Sequence, residues 1–549
     1  MQKLKPKLFS VMKTYNKNQF FKDIIAGIIV AIIALPLSIA LAIASGVSPE
    51  QGLYTAIFAG FFISFLGGSR VQIGGPTAAF VVIIYGIVTE FGMAGLTIAT
   101  LMAGIMLILM GFLKFGSLIK YIPYTITAGF TAGVAIGIFA GQIKDFLGLE
   151  MGSVPAEFIE KVVEYAKVID TVDLHTLIVG VISLVILIIM PKISKIVPGS
   201  LVAIIVATLL VKFTPLETAT IGSVYGELSS SIPAPALPDM NFAMVKQLLP
   251  SAFTIAILAA IESLLSCVVA DGMVNSRHRS NMELIGQGVG NIASGLFGGI
   301  PATGAIARTA ANVKNGGRTP IAGMVHALML LLILKLFMPL AALIPMTTLA
   351  AILIVVAYNM GEWKEFFSLM KHAPKSDVSI MLVTFFLTVI FDLVVAIEFG
   401  LVLAAILFIK RMSDVSSIRG WTYDGDDDSE ENDPMHIGLK TVPENTLVYE
   451  IDGPMFFGVA DNFLKISIKE DTKVLILRMR SVPAMDITAL QSLEKVYDMC
   501  EKSGVTVILS HVLEQPMKVM EKAGFSEKIG RDNFCENIDA ALERAGKLI

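Results

Sequence analysis

Two charged side chains in apolar surroundings are the best candidates for chemistry in this chain. Glu262 lies in the middle of the apolar segment 251–271, and Arg308 lies one helical turn into a shorter apolar segment, 303–314. An ionised carboxylate is costly in an apolar helix, so Glu262 should be protonated for part of a working cycle or paired with a cation. Arg308 adds a fixed positive charge. A titratable acid and a fixed base together predict the binding of an anion with a coupling cation.

Two glycine-rich stretches would position these side chains. Residues 67–77 and 298–304 both predict extended backbone that turns into a helix too short to cross a bilayer. Irregular backbone at membrane depth is tolerated only where it is buried in protein or lines a wet cavity. Half-helices at corresponding places in two repeats indicate a transporter's binding site. Their N-termini offer free amides and positive dipole ends, which favour an anion.

The predicted anion site combines the two loops and the start of each half-helix. It consists of Gly75, Pro76, Thr77, Thr303, Gly304, Ala305, Ala307 and Arg308. Glycine allows close approach of backbone to a ligand, and proline suits the first position of a helix. Thr77 and Thr303 either donate their hydroxyls to the ligand or only cap their helices. Arg308 either faces the ligand or pairs with Glu262 as an internal strut, and the two states could alternate.

The predicted coupling-ion site is Glu262 with Ser266, which lies one turn further along the same helix face. A proton is favoured over sodium, because an arriving anion favours the protonated carboxyl. Sodium stays open, since Glu262, Ser266 and Thr303 could supply oxygen ligands. The structural alternative is a carboxyl that hydrogen-bonds the second half-helix. Gln287 and Asn291 share a helix face, where polar contact between helices is favoured over ligand contact.

The composition indicates a membrane protein that carries a soluble tail. Of 549 residues, 55% are hydrophobic and 16% are charged, against about 25% charged in soluble domains. We predict fourteen transmembrane spans, of which the third and tenth are short. They lie near 24–45, 52–67, 76–90, 94–114, 124–147, 174–191, 198–214, 251–271, 283–298, 303–314, 319–341, 347–361, 377–392 and 394–411.

The charge distribution orients these spans. About 20 Lys and Arg residues fall in the N-terminal segment and predicted inner loops, against about five in the outer loops, which places the N-terminus inside. The halves also match in register, since Pro36 precedes Thr77 by the same 41 positions as Glu262 precedes Thr303. Seven spans per half would give the two copies opposite orientations, which is an inverted-topology repeat.

The chain changes character after Arg411. The acidic stretch 424–433 predicts a solvated linker. From 437 onward strands and helices alternate, with strands at 446–451, 474–479 and 505–510 and helices at 489–500 and 516–523. We therefore predict four regions: a cytoplasmic N-terminal segment, a transmembrane domain, an acidic linker and a small cytoplasmic α/β domain. Their bounds are 1–23, 24–411, 412–436 and 437–549.

Several functions are disfavoured by what the sequence contains. We find no nucleophile–base pair or phosphate-binding loop, so an enzyme is not expected, and nothing predicts nucleic-acid binding. The six histidines show no metal-ligand spacing, so neither a metal nor another cofactor is expected. His326 is expected to be a core histidine with its hydrogen bonds satisfied.

Five segments resemble the sulfate permease (SulP) family of anion transporters. They are 36–42 (PLSIALA), 74–80 (GGPTAAF), 261–265 (IESLL), 304–312 (GAIARTAAN) and the α/β tail. The resemblance covers essentially the whole chain, and within the family the chain looks most like the bacterial branch of dicarboxylate transporters. It implies a uracil-permease-like fold, in which a core of spans 1–4 and 8–11 moves against a gate of spans 5–7 and 12–14. The tail resembles a STAS domain.

The resemblance also bears on single residues. Family members have coupling residues in the span that contains Glu262, and many have a basic residue at the position of Arg308. A serine often precedes that basic residue, and here it is Ala307, which weakens any transfer of a particular anion preference. Asp486 suits a helix N-cap, and Thr488 matches a phosphorylated position of related domains. The glycine usual after it is Ala489, so a regulatory or dimer-stabilising domain without phosphorylation is the alternative.

Three functional hypotheses stay open at the level of sequence. The first is a secondary transporter in the plasma or inner membrane that moves sulfate, bicarbonate or a small dicarboxylate with H+ or Na+, expected to work as a homodimer. The second is an uncoupled exchanger or channel of the same fold. The third is a membrane receptor that signals through its tail. A titratable Glu262 argues against a channel, which needs no such group.

Overall fold

A computed structural model describes residues 4–117, 123–152, 154–155, 157–193, 197–239, 241–391, 393–415, 417–421, 440–459 and 471–549. The chain forms two compact units, Met1–Val402 and Leu403–Ile549. The acidic stretch 424–433, which we predict to be a linker, lies outside the described residues.

Helices occupy all fourteen predicted spans. They are Lys17–Ala44; Pro49–Tyr54, Thr55–Ala59 and Gly60–Leu66 in succession; Ala78–Phe80 and Val81–Phe112; Tyr124–Leu147; Leu174–Ile193; Gly199–Phe213; Phe242–Val274; Ser280–Leu296; Ile306–Lys314; Pro320–Ala341; Met346–Met360; Lys375–Ile390; and Leu393–Val415. Spans 3 and 4 run on as one helix, and Gly92, with φ of 65°, marks the kink between them. Seven helices within the described ranges are long and apolar enough to cross a membrane on their own.

Local sequence explains where these helices start and how they pack. Asn16 accepts a hydrogen bond from the Gln19 amide at 2.8 Å and caps the first span. The helices Val81–Phe112 and Ser280–Leu296 pack backbone to backbone, because a Cβ on Gly104 would lie 2.7 Å from the carbonyl oxygen of Gly288. Small residues that permit such contact are typical of helix pairs in membranes.

Among the helices of ten or more residues in the described part of this unit, two were not predicted. Phe158–Val168 and Trp363–His372 are short and amphipathic, and both lie in segments that the sequence assigned to loops. Charged residues on one face lower the mean hydropathy of these segments below that of a transmembrane span, so the sequence predicts loops there.

The second unit contains a five-stranded sheet. Its strands are, in spatial order, Ser417–Trp421, Thr446–Asp452, Val474–Ser481, Thr506–Ser510 and Phe534–Cys535. The first pair is antiparallel and the other pairs are parallel. In the described part of the unit, the helices Ile487–Lys502, Glu514–Lys522, Phe525–Ile529 and Ile538–Leu548 accompany this sheet. Adjacent residues of a strand, such as Leu475 and Ile476, belong to separate apolar clusters. This is expected of a parallel sheet that is covered on both faces.

Candidate functional site

The two glycine-rich stretches meet and form a short antiparallel ribbon. Gly74 lies opposite Gly304, and Gly75 lies opposite Thr303. The Ala305 amide extends the pairing by donating to the Ile73 carbonyl oxygen at 2.8 Å. The structure therefore brings together the two loops that the sequence placed in corresponding positions. We call this ribbon and the helix starts that follow it the cradle.

Buried side chains from span 9 fix the irregular backbone of the two loops that lead into the cradle. Glu283 accepts hydrogen bonds from the amides of Gly68 (2.8 Å) and Ser69 (3.0 Å). Asn291 donates to the Ala302 carbonyl oxygen (2.8 Å) and accepts from the Ala302 amide (2.9 Å). Backbone groups outside a helical ladder need such partners when they are buried. Glu283 thus fixes the first loop, and Asn291 fixes the second.

The sequence predicted a structural role for part of this support. Asn291 bonds a distant loop at Ala302, as a structural role requires. Gln287 donates to Glu283 Oε1 at 2.9 Å within its own helix, so it does not make the expected contact between helices. Glu283 itself was missed, because it stood at the predicted start of a span, where an acidic residue is ordinary. Its signal was the spacing of Glu283, Gln287 and Asn291 at i, i+4 and i+8, which places three polar groups on one buried helix face.

Neither helix that leaves the cradle is capped by a side chain. Thr77 and Ala305 occupy the N-cap positions with extended backbone, and neither makes a side-chain capping bond. The Thr77 hydroxyl donates to Glu262 Oε2 at 3.0 Å, and the Thr303 hydroxyl donates to the Ala259 carbonyl oxygen at 3.0 Å. Both threonines therefore contact span 8, and the amides of the first helical turns are left for another acceptor.

Arg308 lies inside the cradle with most of its donors unused. Its side chain is 2% exposed, and Nη2 donates to the Pro76 carbonyl oxygen at 2.5 Å. Nε and Nη1 have no hydrogen-bond partner among the residues that the structure describes. The internal strut to Glu262 is therefore not formed here. A buried charge without a counter-ion is strongly unfavourable, and an anion between the two helix starts would remove that penalty.

The glycines of the ribbon are required by close contacts. Gly75 has a φ of 157°, and a Cβ at this position would overlap Arg308 Nη1. A Cβ at Gly304 would overlap Gln72 Nε2 instead. The first glycine therefore makes room for the guanidinium, and the second makes room for a structural amide.

The predicted coupling residues are separated in the structure. Glu262 is partly exposed and faces the start of the first half-helix through Thr77. Ser266 is turned away, since its hydroxyl donates to Gln72 Oε1 at 2.8 Å. The Glu262 carboxyl therefore hydrogen-bonds the start of the third span. The structural alternative had predicted a hydrogen bond to the tenth span.

Two further residues depart from simple expectation. Ala307 is exposed, whereas its neighbour Arg308 points into the protein. His326 is fully buried, as expected of a core histidine, but the expectation that its hydrogen bonds are satisfied is wrong, because neither ring nitrogen has a partner in the described part of the chain.

In the second unit, the expected N-cap is confirmed. Asp486 accepts a hydrogen bond from the Ala489 amide at 2.8 Å and begins the helix Ile487–Lys502. Thr488 is exposed in the first turn of that helix. Its hydroxyl is therefore accessible at the surface of this unit.

The helical fold, with two half-helices that start from one buried ribbon, defines a membrane transporter. Family models support this class: the sulfate permease family model matches residues 20–384, and the STAS domain model matches residues 439–541. The chain belongs to the sulfate permease family and carries a C-terminal STAS domain.

Relatives of known name agree with this assignment. The chain is 42% identical over 531 residues to YvdB of Bacillus subtilis, a provisionally assigned sulfate transporter, with 96% of this chain and 98% of that protein covered. It is 31% identical to the bicarbonate transporter BicA of Picosynechococcus, with 97% and 96% covered. The protein is therefore an anion transporter and not an enzyme. These names give no support to the narrower resemblance to dicarboxylate transporters.

Solved structures show the same fold. The transmembrane domain of a cyanobacterial BicA is 30% identical, with a TM-score of 0.62 over 70% of this chain and 98% of that one. Murine Slc26a9 in the inward-facing state is 18% identical, with a TM-score of 0.88 over 99% and 94%. The likeness to Slc26a9 shows the fold alone.

Proposed function

We propose that the chain is a proton-coupled symporter that moves a small oxyanion, sulfate or bicarbonate, by alternating access. The observation that carries this proposal is the buried Arg308 guanidinium, which has two donor nitrogens without partners and lies against two uncapped helix starts. Each helix end contributes about half a positive charge. Together with Arg308 they offer about two positive charges, enough for a monoanion or a compact dianion.

The relatives support the choice of substrate. YvdB is named for sulfate and BicA for bicarbonate, and both are compact oxyanions whose oxygens can accept several N–H donors. A four-carbon dicarboxylate has two separated charges and would need a second cation. Among the described residues of the cradle, Arg308 supplies one cation. The dicarboxylate stays in the experiment below as a competing substrate.

The arrangement around Glu262 supports a proton rather than sodium. A sodium site would need the oxygens of Glu262, Ser266 and Thr303 to converge. Ser266 instead donates to Gln72, and Thr303 donates to the Ala259 carbonyl oxygen. Among the described residues, Thr77 is the hydrogen-bond partner of Glu262, and a carboxyl can carry a proton without further ligands.

We further propose that the cradle moves as one body. The bonds that fix it join the predicted core spans 1–4 and 8–11: Thr77 to Glu262, Gly68 to Glu283, and Ala302 to Asn291. The gate would then be spans 5–7 and 12–14. A transmembrane domain at 24–411, cytoplasmic termini, an inner-membrane location and a homodimer belong to the same proposal. The STAS domain, with exposed Thr488, would regulate or assemble the transporter.

Uptake by the full chain in proteoliposomes tests the proposal. Labelled sulfate is offered with an inward proton gradient, an inward sodium gradient or neither, and bicarbonate and succinate are added as competitors at fixed pH. We expect accumulation with the proton gradient alone and competition by bicarbonate rather than succinate. Accumulation with sodium alone would identify a sodium symporter. Exchange without accumulation under either gradient would identify an uncoupled exchanger.

A further inference from the structure

A cavity in the membrane unit, apart from the cradle, is lined by a buried lysine. The cavity has a volume of about 240 Å³ and is lined by Val81, Tyr85, Gln142, Asp145 and Lys161, among others. Lys161 belongs to the helix Phe158–Val168, which the sequence did not predict. This cavity is separate from the ribbon, whose residues do not line it.

The Lys161 ammonium group lacks a counter-ion. The side chain is buried, with 8% exposed, and its Nζ makes no hydrogen bond or ion pair with any residue in the described ranges. Its contact is with the Tyr85 ring, whose centroid lies 5.7 Å away. Burial lowers the pKa of Lys161, so the charged form lacks compensation. A bound anion would supply it.

A lysine six residues further along the same helix shows the ordinary arrangement. The side chain of Lys167 is 63% exposed and pairs with Glu164 at 2.8 Å. Burial and the missing partner are thus properties of the Lys161 position and not of this helix as a whole. Lys167 therefore serves as a matched control.

Other polar groups that line the cavity are held by backbone carbonyl oxygens. The Tyr85 hydroxyl donates to the Val154 carbonyl oxygen at 2.5 Å, and Lys144 Nζ donates to the Gly152 carbonyl oxygen at 2.7 Å. The Gln142 amide also lines the cavity. The lining residues include two lysines, Lys144 and Lys161, and one acid, Asp145, so the lining carries a net positive charge when all three are ionised.

The cavity lies along the first half-helix beyond the cradle. Thr77 begins that helix at the ribbon, and Val81 and Tyr85 line the cavity one and two turns later. At 1.5 Å per residue, Tyr85 is about 12 Å further along the helix axis than Thr77. In the orientation proposed above, this direction leads to the outer face.

We propose that this cavity is an outer anion-binding station, in which Lys161 holds a small oxyanion such as sulfate or bicarbonate before it reaches the cradle. The inference rests on the proposed transport function for its physiological meaning. Binding at Lys161 itself requires only the cavity and its charge. It can therefore be measured when the cradle is inactive.

Protection of the lysine from acylation tests binding directly. Full-length protein in detergent is treated with acetic anhydride in sodium sulfate or in sodium gluconate of equal ionic strength, and acetylation of Lys161 and Lys167 is quantified by mass spectrometry. We expect sulfate to slow acetylation of Lys161 several-fold and to leave Lys167 unchanged. The same protection should be seen in Arg308→Ala, whose cradle is disabled. Equal rates for Lys161 in sulfate and gluconate would overturn the proposal.

Transport kinetics test the role of the station. With external sulfate, Lys161→Ala should raise the KM for uptake about 5- to 10-fold and leave the maximal rate within twofold of wild type, since saturating anion bypasses the station. Lys161→Arg should restore the wild-type KM, and Lys167→Ala should not change it. An unchanged KM in folded Lys161→Ala protein, or a lost maximal rate that Lys161→Arg does not restore, would refute it. Loss of uptake in wild type as well would contradict the proposed function instead.

Discussion

The two halves of the cradle share a backbone but differ in charge. Each half contributes one strand of the ribbon and one helix start without a side-chain cap. The first half carries no charge of its own and holds Glu262 through the Thr77 hydroxyl, whereas the second carries Arg308. Both halves therefore supply the positive dipole end of a helix, whereas the charged side chain Arg308 occurs in the second half. Glu262 contacts the first half of the cradle and Arg308 belongs to the second, and the two side chains are not paired. One can therefore serve the proton and the other the anion.

The largest expected effect separates the two charges. Glu262→Gln keeps an acceptor for Thr77 but cannot release a proton, so it should bind sulfate within about threefold of wild type. It should not accumulate sulfate under a proton gradient. Uptake and equilibrium binding are measured on the same preparation. Glu398→Gln, which changes an exposed carboxyl, should accumulate normally, and full accumulation by Glu262→Gln would remove Glu262 from the mechanism.

The ribbon glycines give a matched pair of variants for the second comparison. Gly75→Ala displaces the Arg308 guanidinium and should raise the Kd for sulfate at least 10-fold. Gly304→Ala displaces the Gln72 amide and should lower the melting temperature with a smaller change in Kd. Calorimetric titration and thermal unfolding in detergent distinguish them. If Gly75→Ala binds like wild type, the close contact with Arg308 is not required.

The threonines give a finer comparison. Thr77→Val removes the contact that holds Glu262 at the first half-helix, so the accumulation ratio under a proton gradient should fall several-fold. Thr303→Val removes a bond to the Ala259 carbonyl oxygen, which contributes about 1 kcal/mol to stability. Its accumulation ratio should be unchanged. Equal ratios in the two variants would mean that Thr77 has no special part in coupling.

The smallest effect is expected from removal of the second unit. All cradle residues belong to Met1–Val402, so a chain truncated after Arg411 should retain measurable uptake once it is in the membrane. Uptake is normalised to inserted protein. Correctly inserted truncated protein without any uptake would make the STAS domain part of the transport mechanism.

The sequence predicted the elements of the site better than their contacts. The glycine-rich loops, their half-helices and Arg308 could be located because glycine, proline and charge are conspicuous in apolar segments. Helical spacing placed Ser266 on the same face as Glu262, but it could not show which neighbour that face meets, and Ser266 bonds Gln72. Glu283 escaped notice because its role depends on packing against a distant loop. The helix that carries Lys161 escaped because its charges resembled those of a loop.

Calorimetric titration of sulfate into Arg308→Ala tests the central claim most directly. We expect the Kd to rise about 100-fold or more, because a buried charge partner worth about 3 kcal/mol is lost. Arg308→Lys should recover part of the affinity, because it restores the charge without the planar guanidinium. Wild-type affinity in folded Arg308→Ala protein would contradict the claim that this cradle binds the anion.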